Sequence, residues 1–340
     1  MAVIHPMNAV DLEKVSDGQL QLDADCPLAL AQTYSKQVAS FLNKEIFNHF
    51  RWVAIHRLIA QRQLLIGERT HVGAFTEVLP MMVCRAVGGS AEKAIPLAAN
   101  WWLLLFAAQM LDDAQDQDVD WMERGGLRPA EVFVAGVYAM KLADRALAYL
   151  DVDCDTATQV SAIIDEMQLH GLYAQATERT SDISSLTRNS YYVNTIQKSA
   201  NLFAVICEAG ARVGSNDPVV WQLCNTIGMQ IGLMKQIQDD CADLHDLSGK
   251  SDLMSGHYTL PVIRGLEMKE HALYPELLRC LQSEQRKSEH VATRICALLN
   301  EMHVPHWCFT TAELHRTEAV KAIQTLPVHL RHPLLDYAHC

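Results

Sequence analysis

Glycine and proline are scarce in this chain. There are 16 and 11 of them in 340 residues, about 8% together where average proteins carry roughly 12%. Few turns follow from that, which favours long helices over many short strands. Alternation of apolar and polar residues, the mark of a half-buried strand, is also lacking. No Gly/Ser-rich linker, low-complexity run or short-period repeat divides the chain. Basic residues are outnumbered, 28 against 40 acidic, for a formal net charge of −12. That balance argues against a general nucleic-acid or anionic-membrane binder. No C-x-x-C pair occurs among the ten cysteines, and their spacing fits no zinc site. Most stand among apolar neighbours, as in Met82-Val83-Cys84 and Val205-Ile206-Cys207, where a thiol acts as a small hydrophobe. They are read as reduced and intracellular.

The first twenty residues lack a basic start followed by an apolar run, so no signal peptide is expected. With Cys340 last, no prenylation box is expected. One stretch, residues 94–111, approaches the ~20 residues of a membrane span. It contains Pro96, Asn100 and Gln109 and runs into Asp112-Asp113, so a buried helix of a large bundle explains it better than an integral membrane segment. A cytoplasmic protein is the expectation.

An apolar fraction of 49% excludes wholesale disorder, and the length suffices for a sizeable core. Residues 1–27 read as a loose arm. From Leu28 the pattern keeps a helical period, with predicted helices over 28–50, 51–66, 74–88, 94–118, 129–150, 155–179, 189–213, 217–246, 259–266, 270–282, 286–302 and 309–324. Residues 28–340 therefore read as one all-α domain. Helices 94–111 and 200–213 are apolar on more than one face and belong in the middle of a bundle. Polar residues at their ends would face an internal cavity.

Two acidic clusters stand out. Asp112, Asp113 and Asp116 lie at i, i+1 and i+4 at the end of the apolar helix, followed by Asp118. A solvated helix end would explain this cluster alone. Residues 239–243 repeat the spacing with Asp239, Asp240 and Asp243, Gln236 one turn before and Asp246 after. Two such clusters on separate helices can face each other across a bundle core. Gathered carboxylates repel and suit Mg²⁺, which takes one or two protein oxygens and completes its octahedron with water and substrate phosphates. The doubled pattern thus points to metal ions bridging to a diphosphate. Lys198, Arg124, Lys235 and Lys250 are the basic candidates to complete the anion cage.

From about residue 70 to about 265 the chain resembles the trans-isoprenyl diphosphate synthase family, within the class I isoprenoid synthase fold, a single large orthogonal helical bundle around a central active-site cavity. Asp112-Asp113-Ala-Gln-Asp116 is similar to the family's first aspartate-rich motif, and Gln236-Ile-Gln-Asp239-Asp240-Cys-Ala-Asp243 to its second. Lys198-Ser199-Ala-Asn-Leu-Phe203 resembles the Lys-Thr segment that contacts the allylic diphosphate. Ser251-Asp252-Leu253 through His257-Tyr258-Thr259-Leu260-Pro261 resembles the stretch after the second motif, with His257 at the usual lysine. The family also has a longer first motif, which Asp118 and Arg124-Gly125 satisfy, so either Asp116 or Asp118 is the outer ligand. In both forms Glu123 reverses a charge that normally meets diphosphate.

The resemblance implies three Mg²⁺ ions held by both clusters, ionisation of an allylic isoprenoid diphosphate, and attack on the allylic cation by isopentenyl diphosphate to make a longer polyprenyl diphosphate. It implies roles for Lys198, Ser199 and Gln236 in the reaction, a homodimer, and an apolar wall to which Leu103–Ala108 and Phe203 contribute. Ala107 and Ala108, five and four residues before Asp112, stand where the family sets product length. Their small side chains imply a product of twenty carbons or more, although helix packing accounts for alanine equally well. Trp101 and Trp102 would floor the cavity or simply pack in the core. Gln175 and Glu178 would approach the site from the 155–179 helix or simply end it.

One segment departs from the family. Where a Gly-Gly-Lys-Arg-Leu-Arg-Pro stretch binds isopentenyl diphosphate, this chain has Gly73-Ala-Phe-Thr76-Glu77-Val-Leu79-Pro80, with no basic residue and with Glu77 opposed to a diphosphate. Arg69, His71 and Arg85 are the neighbouring basic groups. Three readings follow: a chain-elongating synthase with an unusual isopentenyl site; the same ionisation with another nucleophile, as in a terpene synthase or the isoprenyltransferase of competence pheromone peptides; and a non-catalytic partner subunit.

Overall fold

The computed structural model describes residues 27–48, 75–116, 128–177, 186–244, 253, 257–283 and 288–326, with 334, 335 and 338. Helices make up its regular structure, and among the described residues there is no strand. In chain order they are α1 (Pro27–Phe41), α2 (Leu79–Ala86), α3 (Ile95–Asp116), α4 (Pro129–Leu147), α5 (Cys154–Thr177), α6 (Arg188–Thr195), α7 (Asn201–Gly214), α8 (Pro218–Asp243), α9 (Leu260–Glu267), α10 (Tyr274–Gln282), α11 (Glu289–Glu301) and α12 (Val304–Ile323).

Local chemistry starts these helices where the sequence places the signals. Proline occupies the first turn of α4 and α8, where its missing N–H costs nothing. The Asp217 carboxylate caps α8 by accepting from the Val219 N–H at 2.9 Å. Glu131 accepts from the Arg128 N–H at 2.9 Å and closes the start of α4. Thr187 and Ser190 cap α6 reciprocally.

The helix expected over 189–213 is real but interrupted. Between α6 and α7, Ile196–Ala200 forms one π turn, and a second π turn, Leu42–Phe47, follows α1. The 3.6-residue pattern runs through both and gives no sign of them. Such bulges are frequent at functional sites, and the first carries Lys198 and Ser199.

Packing places α3 against α4, α7 against α8, and α8 against α12, with α2 and α5 also packed on α7. The apolar stretch of α3 is the bundle's central helix: Trp101, Leu103, Leu97 and Ala98 are fully buried. Two glycines bring α8 close to the chain around the π turn. A Cβ at Gly232 would stand 2.7 Å from the Ala200 Cα, and one at Gly228 would overlap the Phe203 carbonyl. Both positions exclude any larger residue unless the helices separate. That approach sets the π turn against α8, and its Lys198 Nζ lies 3.4 Å from Asp112 at the end of α3.

Candidate active site

The acidic clusters sit on the last turns of α3 and α8, neither of which carries a basic residue there. Unpaired carbonyls make a helix C-terminus negative, so the carboxylates add to a field of their own sign. An arrangement this unfavourable calls for a cation.

The structure separates each cluster into two kinds of carboxylate. Asp112 and Asp239 line one cavity of about 400 Å³. The Oδ1 atom of Asp112 accepts from Gln175 Nε2 at 2.9 Å and lies 3.4 Å from Lys198 Nζ. Asp239 stands open at the mouth, yet the surrounding protein raises its pKa, with Lys235 one turn back opposing the shift. Asp113 and Asp240 are buried instead and are absent from the cavity lining. Asp113 accepts from Gln109 Nε2 at 2.8 Å. Asp240 accepts from Tyr191 Oη at 2.6 Å and from Gln236 Nε2 at 2.8 Å, and the Leu260 N–H at the start of α9 also reaches it. Even so, burial pushes Asp240 up to about 6, the hydrogen bonds opposing the rise. Tyr191 is pushed up in turn, by burial first and then by the adjacent carboxylate.

Of the other expected residues, Ser199, Gln236, Ala107, Ala108 and Phe203 all line the cavity with Lys198. Gln175 does as well, and its bond to Asp112 ties α5 to α3. Leu104 and Leu105 line it, while Leu103 and Phe106 turn into the core. Trp101 reaches the cavity; Trp102 stacks on Phe106 at 5.9 Å between ring centroids. His257 lies in the extended segment leading into α9, and Asp243 lies at the end of α8. Asp118, Glu123, Arg124, Glu178, Asp246 and Lys250 fall outside the described residues, as does the side chain of Asp116. Tyr191, Gln109, Met140 and Met167 were not singled out from the sequence. The Gln-x-x-x-Asp spacing in both clusters was a usable signal for Gln109; nothing local marks the other three.

Glu77 is engaged within the protein. Its carboxylate accepts from Ser35 Oγ of α1 at 3.0 Å and from the Trp102 indole, and burial raises its pKa. The described part of its segment, from Phe75 on, is otherwise packed: Phe75, Val78 and Leu79 are buried, and the Thr76 carbonyl accepts from Trp101 Nε1 at 2.7 Å. None of these residues lines the cavity. Arg85 is exposed and donates to Tyr34 Oη at 3.2 Å.

Comparison with known proteins shows the family and the fold. The family model described as polyprenyl synthetase matches residues 77–299. A farnesyl diphosphate synthase from Micrococcus luteus is 26% identical over 264 residues, covering 72% of this chain and 88% of its own. A protein named geranylgeranyl pyrophosphate synthase 6, mitochondrial, from Arabidopsis thaliana is 25% identical over 271 residues, covering 69% of this chain and 78% of its own. Among solved structures, geranylgeranyl pyrophosphate synthetase from Pyrococcus horikoshii superposes with a TM-score of 0.74 at 19% identity, over 92% of this chain and 97% of that one. A polyprenyl synthase from Caulobacter crescentus, solved with calcium and isoprenyl diphosphate, gives 0.73 at 20% identity, over 93% and 96%. The fold is that of these all-α isoprenoid synthases.

Proposed function

Because the chain belongs to the polyprenyl synthetase family, and so to the prenyl-transferring enzymes, we propose that it binds an allylic isoprenoid diphosphate at the mouth of the α3–α8 cavity and transfers the prenyl group to isopentenyl diphosphate. The observation that carries this reading is the placing of Asp112 and Asp239, from two helix C-termini, on one cavity whose deeper wall is apolar.

The donor set suits Mg²⁺. Asp112 and Asp239 are hard oxygen donors in a negative field, with Asp116 or Asp118 as the outer ligand of the first cluster. Among the described residues, no three acidic, His or Cys groups gather closely enough to hold an ion unaided. That fits ions held jointly with substrate phosphates, three of them by family resemblance. When bound, the ions supply neutralisation of the departing pyrophosphate. Lys198 adds a cation beside Asp112, and Ser199 and Gln236 offer polar hydrogens to the same mouth. The C1–O bond of the donor breaks with its electron pair leaving on pyrophosphate. The double bond of the acceptor then attacks C1, and a proton lost from the acceptor restores neutrality at carbon. Below the mouth Leu104, Leu105, Leu202 and Phe203 exclude water from the cation.

A second reading, the same ionisation with another nucleophile, is favoured by one observation: Glu77, standing where the family has a cation, is turned toward α1 and Trp102. Mass spectrometry of products from geranyl or farnesyl diphosphate and Mg²⁺, with and without isopentenyl diphosphate, separates the two. Longer diphosphates that require isopentenyl diphosphate support elongation. Pyrophosphate with a hydrocarbon or alcohol in its absence supports the second reading, and no turnover of any allylic diphosphate defeats both.

We read residues 28–340 as one domain, as an extension of the match over 77–299, and place the protein in the cytoplasm on its cysteine pattern. We also propose a homodimer through α4 and α5. Phe133, Val134, Val137, Leu169 and Tyr173 are all exposed on these two helices, apolar side chains that a second copy would cover.

A further inference from the structure

A cysteine of α8 and a cysteine of α12 meet behind the second acidic cluster. The Cys308 thiol donates to the Cys241 sulfur, so the two sulfurs are in direct contact between the helices. Both thiols are free. Cys241 is part-exposed, whereas Cys308 is fully buried. Other cysteines are placed differently. Cys207 and Cys224 are neighbours across α7 and α8 but are sealed in the core. Cys84 and Cys296 donate to carbonyls, those of Ser90 at 3.3 Å and Leu244 at 2.8 Å.

Cys241 is adjacent to the acidic residues in sequence and opposite them on the helix. Asp239 and Gln236 line the cavity. At about 100° per residue, Cys241 lies about 160° around α8 from Asp239 and about 140° from Gln236. It therefore faces α12 while they face the substrate side. α12 is well anchored, with Val304, Cys308, Ala312, Ala319 and Ile323 buried along it. The same two helices meet again where His315 Nδ1 lies 2.8 Å from Gln230 Oε1, about three turns before Cys241. A pull at Cys241 falls on the turns beyond that contact, which carry Gln236 and Asp239.

Resting on the allylic donor site described above, we propose that Cys241 and Cys308 are a reversible disulfide site whose closure draws the acidic end of α8 away from α3 and lowers turnover. The oxidant is a peroxide. The Cys241 sulfur, within reach of solvent, attacks one peroxide oxygen; the O–O bond breaks and one water departs, leaving a sulfenic acid. The Cys308 sulfur, already in contact, attacks the Cys241 sulfur; the S–O bond breaks and the oxygen departs as a second water. Two thiols and one hydrogen peroxide become one disulfide and two waters, with both thiol protons in the water. A dithiol reductant reverses the change by exchange. Closure brings the sulfurs to about 2.05 Å, well inside any non-bonded contact, and the pull acts on the side of α8 away from Asp239. An intracellular disulfide of this kind is transient and reports the redox state.

The test treats the purified wild-type protein and Cys308→Ser with hydrogen peroxide, then with dithiothreitol. Peptides digested without reductant are mapped by mass spectrometry. Turnover of farnesyl diphosphate with Mg²⁺ and calorimetric binding of inorganic pyrophosphate with Mg²⁺ are measured at each stage. Oxidised wild type is expected to yield a peptide pair linked through Cys241 and Cys308, two hydrogens lighter than its parts, with Cys207 and Cys224 still reduced. Turnover and pyrophosphate affinity should each fall at least about tenfold, within the loss that a misplacement of about 1 Å can cause, and dithiothreitol should restore both. Cys308→Ser keeps a hydroxyl that can donate to Cys241, and should be active and insensitive to the same treatment. Wild type that forms no 241–308 link overturns the proposal, whether or not the variant folds. A link that leaves turnover and affinity unchanged overturns it as well, as does equal inactivation of Cys308→Ser. If the reduced wild type neither turns over farnesyl diphosphate nor binds pyrophosphate, the donor-site reading has failed. The control of turnover falls with it, and the linked peptide alone then upholds or overturns the disulfide site.

Discussion

The Tyr191 hydroxyl donates to Asp240 Oδ2 at 2.6 Å across 49 residues of sequence. This bond joins α6, just before the π turn that carries Lys198, to the acidic end of α8. Gln236 donates to the other oxygen of the same carboxylate at 2.8 Å, and Gln109 does the same for Asp113 on α3 at 2.8 Å. Each cluster therefore pairs a carboxylate facing the cavity with a buried neighbour held by a glutamine one turn earlier. Successive helical residues diverge by about 100°, which is why two adjacent aspartates take such different surroundings.

Tyr191→Phe removes one donor from a buried carboxylate and adds nothing in its place. The expected loss is about 1–3 kcal/mol of stability, read by urea denaturation. Because the bond also tethers the Lys198 segment to α8, the KM for the allylic diphosphate should rise more than kcat falls.

The pH dependence of the metal-free protein follows from Asp240. Its native pKa is about 6, against 3.8 for the ordinary group, so the folded state binds more protons than the unfolded state between those values. Stability is then highest with the group protonated and falls as pH rises from about 4 through about 6. Raised Asp239 acts in the same direction. Denaturation in a chelator at intervals from pH 4.5 to 8 should show this decline, and Asp240→Asn should flatten it. A decline just as steep in the asparagine variant would remove Asp240 as the cause.

Much of this arrangement was legible in the sequence, and the illegible part has a common cause. The acidic spacing and the apolar run before it are local patterns, so they marked the ends of α3 and α8 directly, while the Lys198–Phe203 segment and the cavity wall were expected from the family resemblance and line the cavity. The π turn at Ile196–Ala200 was not legible. It arises where Gly232 lets another segment approach, and that is a property of two distant pieces of chain. Tyr191 and Met167 escaped notice for the same reason: a tyrosine or methionine on a helix declares a role only through what it meets. Glu77 had a visible charge but an invisible direction.

Gly232→Val tests the close approach. Its side chain would meet Ala200 in the π turn, where a Cβ alone stands 2.7 Å from the Ala200 Cα. Overpacking of this kind costs about 1–3 kcal/mol, and relief by separating the helices would carry Lys198 away from Asp112. Activity should drop by more than the stability loss explains, with wild-type circular dichroism at low temperature. Full activity in a folded Gly232→Val protein would show that this approach does not set the position of Lys198.

Asp112→Asn and Asp239→Asn separate function from stability most sharply. Each removes a negative charge from the negative end of a helix, where a carboxylate is unfavourable by about 0.3–1 kcal/mol. In the metal-free protein Asp239→Asn should therefore be as stable as the wild type or slightly more so, and Asp112→Asn about equal to it, because the lost contact with Lys198 offsets the gain. Turnover of an allylic diphosphate should instead fall by about 10²–10³, the scale on which a single electrostatic contact to a developing anion is lost. Mg²⁺ with a diphosphate should protect the wild type against thermal unfolding but not the variants. Stability gained with activity lost is the mark of residues retained for the ligand they hold. A variant that loses stability and activity together would make its aspartate part of the fold, leaving the metal to be held elsewhere.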